Sequence, residues 1–222
     1  MERKIITTSD GSTTIQIVDW NEQYHSIHGA IQEAYHVFIK SGLDLFSNQN
    51  LAILEIGFGT GLNAIITCIE ANKKGLNINY TGVEAYPVSL EEISQLNYIE
   101  QLKASDFEKH FLKMHSSEWE KEIVISDDFK LTKQQKDFMQ IIEKDFFNLI
   151  YFDAFGARVQ PELWSEPIFE IMYNALKENG VLVTYAAKGS VRRAMQSVGF
   201  FVERLSGPPG KREMLRAIKR TS

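Results

Sequence analysis

The chain has 222 residues, 44% hydrophobic and 24% charged, which is enough to bury one full core and is ordinary for a globular domain. No apolar run reaches membrane-spanning length, the polar start MERKIITTSDGSTT has no signal-peptide core, and the single Cys68 excludes an internal disulfide or a multi-cysteine metal site. The net charge of −5 is unevenly spread. Residues 186–222 carry nine basic side chains against Glu203 and Glu213, so the rest of the chain is strongly acidic. That asymmetry suggests either a basic face for a polyanion or a solvated charged surface. A cytoplasmic protein is expected.

In chain order, KIITTSDGSTTIQIV reads as a hairpin turning at Asp10–Gly11, and residues 29–40 as a helix. LAILEIG is a short apolar strand followed by the helix LNAIITCIEANKKG, closed by a glycine. NINYTGVEAY is a strand, and SLEEISQLNYI a helix opened by a Ser89/Glu92 capping box. EIVIS and FKLTKQQ are strands flanking Asp127–Asp128, and FFNLIYFDAF is a strand buried on both faces. SEPIFEIMYNALKENG is a helix with proline in its first turn and glycine at its end. VLVTYAA is a strand, SVRRAMQSVG a helix, and FFVERLS with REMLRAIK a closing hairpin around GPPGK. Alternating helices and buried strands predict an α/β fold with a doubly wound, mostly parallel sheet. One domain spans 1–222: an N-terminal β-hairpin and helix extension over 1–48, and a ligand-binding core over 49–222 ending in the antiparallel hairpin.

In such a sheet the ligand lies beyond the carboxyl ends of the strands, over the first helix N-terminus. Here Glu55 is followed by Gly57, Gly59 and Gly61, while Leu62 stands where a dinucleotide fingerprint needs its third glycine. The E-x-G-x-G-x-G pattern and the closing antiparallel hairpin resemble class I methyltransferases. That resemblance implies S-adenosyl-L-methionine as cofactor, held by Glu55, Gly57, Phe58, Gly59, Thr60 and Gly61, with Glu55 beside its ammonium. Glu84, ending the second core strand, is placed to accept from the ribose hydroxyls. Asp137 is the preferred acceptor for the adenine amine, with Asp127 and Asp128 as competitors.

YHSIHGAIQEAYHVF, YFDAFGARVQPELW, GSVRRAMQSVGF and GKREML resemble a narrower family, the methyltransferase domain of bacterial tRNA 5-methylaminomethyl-2-thiouridine biosynthesis proteins. These pieces cover nearly the whole chain in the family's order. The chain departs from it at Gly156–Ala157, where Ala-Pro is frequent, and at Val159–Gln160, where Lys-Asn is frequent; Arg158 supplies the nearest positive charge. No second glycine fingerprint is present, so the flavin domain of the fused proteins is not expected within these residues.

The resemblance implies methyl transfer to the aminomethyl nitrogen of the tRNA wobble uridine. Asp153, at the end of the central strand, then orients the amine and stabilises its growing charge, acting as an aspartate of ordinary pKa. Phe155 stacks on the flipped base or belongs to the core. Arg158, Lys188, Arg192, Arg193, Lys211 and Arg212 would contact tRNA, mainly its phosphates, and Lys219 and Arg220 form a solvated tail. A monomer without metal is expected. His25, His28 and Glu33 are weak imitations of metal ligands, Cys68 belongs to a core face, and Trp20, Trp119 and Trp164 read as packing residues. A methyltransferase for small amines or proteins, and a non-catalytic RNA-binding module, are the competing expectations.

Overall fold

The computed structural model describes residues 2–220. Strands β1 (Arg3–Thr7) and β2 (Thr13–Ile17) form the expected hairpin, and a two-residue strand β3 (Glu22–Gln23) extends it to a small three-stranded sheet. Helix α1 (Ala30–Ala34) runs on into a wider π-helical turn, Tyr35–Lys40.

The core alternates as predicted. Strand β4 (Asn50–Ile56) leads to α2 (Leu62–Lys73), and β5 (Asn77–Val83) to the short helices α3 (Leu90–Ile93) and α4 (Tyr98–Gln101). Then come α5 (Glu108–Ser116), β6 (Glu122–Ser126), β7 (Phe129–Gln134) and β8 (Phe147–Phe152). Helix α6 (Glu166–Ala175), β9 (Leu176–Thr184), α7 (Gly189–Ser197), β10 (Phe201–Ser206) and β11 (Glu213–Ile218) complete the chain.

The eight-stranded sheet has the order β10-β11-β9-β8-β4-β5-β7-β6. Its five central strands are parallel; β11 joins β9 antiparallel at one edge, and β6 joins β7 antiparallel at the other. Successive β4 residues serve opposite faces: Leu51 and Ile53 pack toward α1 and α2, Leu54 and Ile56 toward α6 and α7. A parallel strand buried on both faces has this unbroken apolar pattern.

Two predicted helices are shorter than read. The capping box of Ser89 and Glu92 forms, but the helix stops at Ile93 because Asn97 is tied to the N-terminal hairpin. Its Oδ1 accepts from the Thr13 amide and hydroxyl, and its Nδ2 donates to the Gly11 carbonyl. Helix α6 ends at Ala175 instead of running to Gly180, because its last carbonyls, Asn174 and Ala175, accept from Asp145 and Phe146 just before β8. Leu176 is thereby delivered into β9. Among the described residues no helix is long and apolar enough to cross a membrane.

Candidate active site

A cavity of about 650 Å³ opens at the carboxyl ends of β4, β5 and β8 and is roofed by residues of the N-terminal sheet. That volume suits a ligand of drug or cofactor size.

The loop after β4 forms its floor. Gly57 and Gly59 have φ of 87° and 49°, the left-handed region that disfavours side chains. A Cβ on Gly57 would stand 2.7 Å from the Asp153 carbonyl, and one on Gly59 3.1 Å from the Tyr24 ring. The loop is held from below: the Gly57 and Phe58 amides donate to the Val83 carbonyl, and the Gly59 amide to Glu84 Oε2 at 3.0 Å. The Phe58 ring turns into the core against His115 and Trp119, so only its backbone is free to meet a ligand. The buried Thr60 hydroxyl accepts from Tyr98. Gly61 caps α2 and backs onto His115, away from the cavity lining.

Three acceptors line this end. Glu55 is 1% exposed; its Oε1 takes a 2.9 Å bond from Asn63, and its Oε2 is buried near the Tyr80 hydroxyl without a close hydrogen bond. Burial drives its pKa well above the ordinary value. Glu84 accepts from the Gly59 and Tyr86 amides, one through each oxygen, which fixes the carboxylate while leaving lone pairs toward the cavity. Asp137 caps the short 3-10 turn Phe138–Gln140 and lines the cavity. Asp127 and Asp128 do not line it; Asp128 instead accepts from Ser126 in the β6–β7 turn.

Asp153 stands beside Glu55. Asn63 Nδ2 bridges it to Glu55, donating to Asp153 Oδ2 at 2.8 Å. Burial first, and then the negative charge of Glu33, raise the Asp153 pKa to about 7, against the pull of Asn63 and Lys211. This corrects the expectation of an ordinary aspartate. Two negative groups held together in a poorly solvated site stabilise a proton on one of them.

Residues not assigned to the site from sequence stand around Asp153 together with the predicted Lys211 and Phe155. Asn63 is one; a lone amide in the apolar run LNAIITCIEA was its available signal. Tyr185 donates to the Ala154 carbonyl at 2.8 Å. Glu33 accepts from the Ser26 amide and pairs with Lys211, whose ammonium lies 3.9 Å from the Tyr185 ring centre. Phe155 meets Trp20 and Tyr24 edge-on, with ring centres 5.7 and 4.9 Å apart, and all three line the cavity. Trp20 thus packs on Phe155, as expected, and also lines the cavity. Trp164 is buried and donates to the Phe155 carbonyl, and Trp119 packs on Phe58.

The basic residues separate into two groups. Arg158 is engaged by Glu22 and the Trp20 and Asn21 carbonyls, and Lys211 by Glu33, so neither is a free phosphate ligand. Lys219 pairs with Asp145 and Arg220 lies over the Phe201 ring, a firmer anchorage than a solvated tail. Lys188, Arg192, Arg193 and Arg212 make no ion pair among the described residues. His25 contacts Thr14, and burial lowers its pKa to about 4. Among the described residues no three His, Cys, Asp or Glu side chains are grouped to hold a metal ion. Cys68 is buried.

The acceptor chemistry of the cavity suits one ligand class. An unpaired buried carboxylate oxygen, a fixed acceptor pair and a further acid beside a glycine cradle suit an ammonium, a ribose diol and an exocyclic amine in turn.

Comparison with known proteins agrees. The tRNA 5-methylaminomethyl-2-thiouridine biosynthesis bifunctional protein MnmC of Pseudoalteromonas translucida is 26% identical over 223 residues, covering 89% of this chain and 33% of that protein. The protein of the same name from Leptospira interrogans is 29% identical, with 88% and 32% covered. The chain thus spans about a third of the length of these curated relatives. The crystal structure of MnmC2 from Aquifex aeolicus superposes with a TM-score of 0.76 at 24% identity, over all of this chain and 72% of that one, which establishes the shared fold. A methyltransferase from Pyrococcus furiosus gives 0.53 at 16% identity, over 92% and 91%. A family model described as S-adenosyl-L-methionine-dependent methyltransferase matches residues 91–220, more than half of the chain and including Asp153. The chain belongs to that family, and S-adenosyl-L-methionine is its cofactor.

Proposed function

We propose that the chain methylates the 5-aminomethyl nitrogen of the tRNA wobble uridine, forming the methylaminomethyl group named in its MnmC relatives. The observation that carries this reading is the part of the cavity around Asp153. A carboxyl of raised pKa, a second carboxylate and an aromatic wall stand together there, which suits an amine attached to a flat base.

Bound S-adenosyl-L-methionine supplies a methyl group made electrophilic by its sulfonium. Glu55 would hold the cofactor's ammonium, Glu84 its ribose and Asp137 its adenine amine, while Gly57, Gly59 and the backbone of Phe58 and Thr60 would let it approach the loop. Asp153 in its carboxylate form accepts a hydrogen bond from the substrate nitrogen. With a pKa of about 7 it can also relay to solvent the proton that an alkylammonium must lose before its lone pair is available, returning to its carboxylate form. Asp153, as a carboxylate, would stabilise the positive charge that the substrate nitrogen gains on methylation. Phe155, Trp20 and Tyr24 would hold the base and so orient its amine. Displacement by a free amine requires no metal, and we take the enzyme to act as a monomer on cytoplasmic tRNA.

Radiolabelled methyl transfer to bulk tRNA, to protein and to polyamines tests the assignment. Label entering only tRNA is expected; label preferring polyamines or protein would replace this substrate with another.

Lys211 provides a second check. Its positive charge favours ionised Asp153 and offsets Glu33. In Lys211→Met the Asp153 pKa therefore rises, and the acid limb of the rate profile moves to higher pH, while Lys211→Arg restores it. Cofactor affinity by calorimetry should change only slightly. An unmoved limb would remove Lys211 from control of Asp153.

A further inference from the structure

A second cavity of about 450 Å³ shares Glu22, Tyr185 and Lys211 with the first as a common wall. Two of its cationic walls, Arg158 and Lys211, are spent on Glu22 and Glu33. Its two carboxylates are spent as well: Glu22 on Arg158, and Glu213 on Arg204 at 3.8 Å. What remains is Lys188, just before α7, and Arg212, in the β10–β11 hairpin, both exposed and without a carboxylate partner. Arg192 follows one turn behind Lys188, and its Nε is buried with no hydrogen-bond partner. Of the four cations of the C-terminal segment named above as without an ion pair, Lys188 and Arg212 line this basin.

We propose that the second cavity is a phosphodiester subsite, in which Lys188 and Arg212 hold the backbone of the nucleotide next to the one whose base enters the first cavity. This deepens the reading above and rests on its view that the ligand is RNA. The two cavities share a wall, so a chain in the second can pass its neighbouring base into the first. Residual positive charge with no internal partner favours an anion over a neutral or cationic segment. Flat aromatic walls in the adjoining cavity favour a nucleic acid over an acidic peptide.

The subsite can be tested without catalysis. Fluorescently labelled triuridylate, and the same trimer with uncharged methylphosphonate linkages, are titrated with the full chain at several salt concentrations. In the double variant Lys188→Ala with Arg212→Ala, triuridylate binding should weaken and its log–log salt slope fall by about 1.4, the share of two contacts to a single strand. Binding of the uncharged trimer should not change. Lys109→Ala with Lys113→Ala removes the same charge from two exposed, unpaired positions on α5 and should leave the slope in place. Equal losses in the two double variants, an unaltered slope at the basin, or polyglutamate competing as well as triuridylate would each overturn the subsite. Failure of methyl transfer to tRNA would remove the proposed reaction yet leave this binding result intact, so the two failures are distinguishable.

Discussion

Replacing Asp153 with asparagine is expected to slow single-turnover methylation by about a hundredfold, on the order of 3 kcal/mol of transition-state stabilisation. The amide preserves the shape and can still accept from Asn63, but it removes the charge that favours the forming ammonium. Cofactor affinity should stay within a few-fold, because the three acceptors assigned to the cofactor are untouched. The wild-type rate should rise with pH through about 7 as Asp153 ionises, and the variant should lose that step. Stability supplies an independent readout. A carboxyl whose pKa is raised by folding binds its proton more tightly in the native state, so the stability it contributes is present at low pH and is lost as pH rises from about 4 to about 7. The asparagine variant carries no such loss and should melt higher than wild type at pH 8. Near wild-type turnover would remove Asp153 from the chemistry.

Gly59→Val is expected to abolish cofactor binding while the protein still folds. The position has φ of 49°, which a β-branched residue resists, and its Cβ would press on Tyr24 at 3.1 Å. Relief requires the loop to move, and the Gly59 amide then leaves Glu84, freeing the carboxylate proposed for the ribose. The strain falls on a cavity loop and not on the sheet, so the melting transition should remain cooperative. Calorimetry with S-adenosyl-L-methionine measures the loss. Binding within a few-fold of wild type would show that the ligand does not lie over this loop.

How much of this was legible in the sequence depended on how local each requirement was. The glycine loop was legible because positive φ is a demand on single residues, and Asp153 because a carboxylate ending a run as apolar as FFNLIYF is conspicuous. The capping box at Ser89 was legible for the same reason, whereas the length of its helix was not: Asn97 stops it through contacts with Gly11 and Thr13, more than eighty residues away. The cluster of Asn63, Glu33, Lys211 and Tyr185 was hidden likewise. Its members come from four separate segments, and a lysine in a hairpin turn looks the same in sequence whether it faces solvent or a buried glutamate. The raised pKa of Asp153 follows from that assembly, so an ordinary value was the natural expectation from sequence alone. The basic C-terminal segment was legible as a total charge, but the division into paired and unpaired cations required the fold.

The central claim is that this site methylates the aminomethyl nitrogen of a tRNA uridine. The most direct measurement is nucleoside mass spectrometry of aminomethyl-containing tRNA incubated with the protein and S-adenosyl-L-methionine. The account predicts that aminomethyluridine is converted to its methylaminomethyl form, with no other nucleoside changed, and that the Asp153→Asn protein does this far more slowly. Aminomethyluridine left intact, or a methyl group found on a ring atom or a ribose instead, would contradict it.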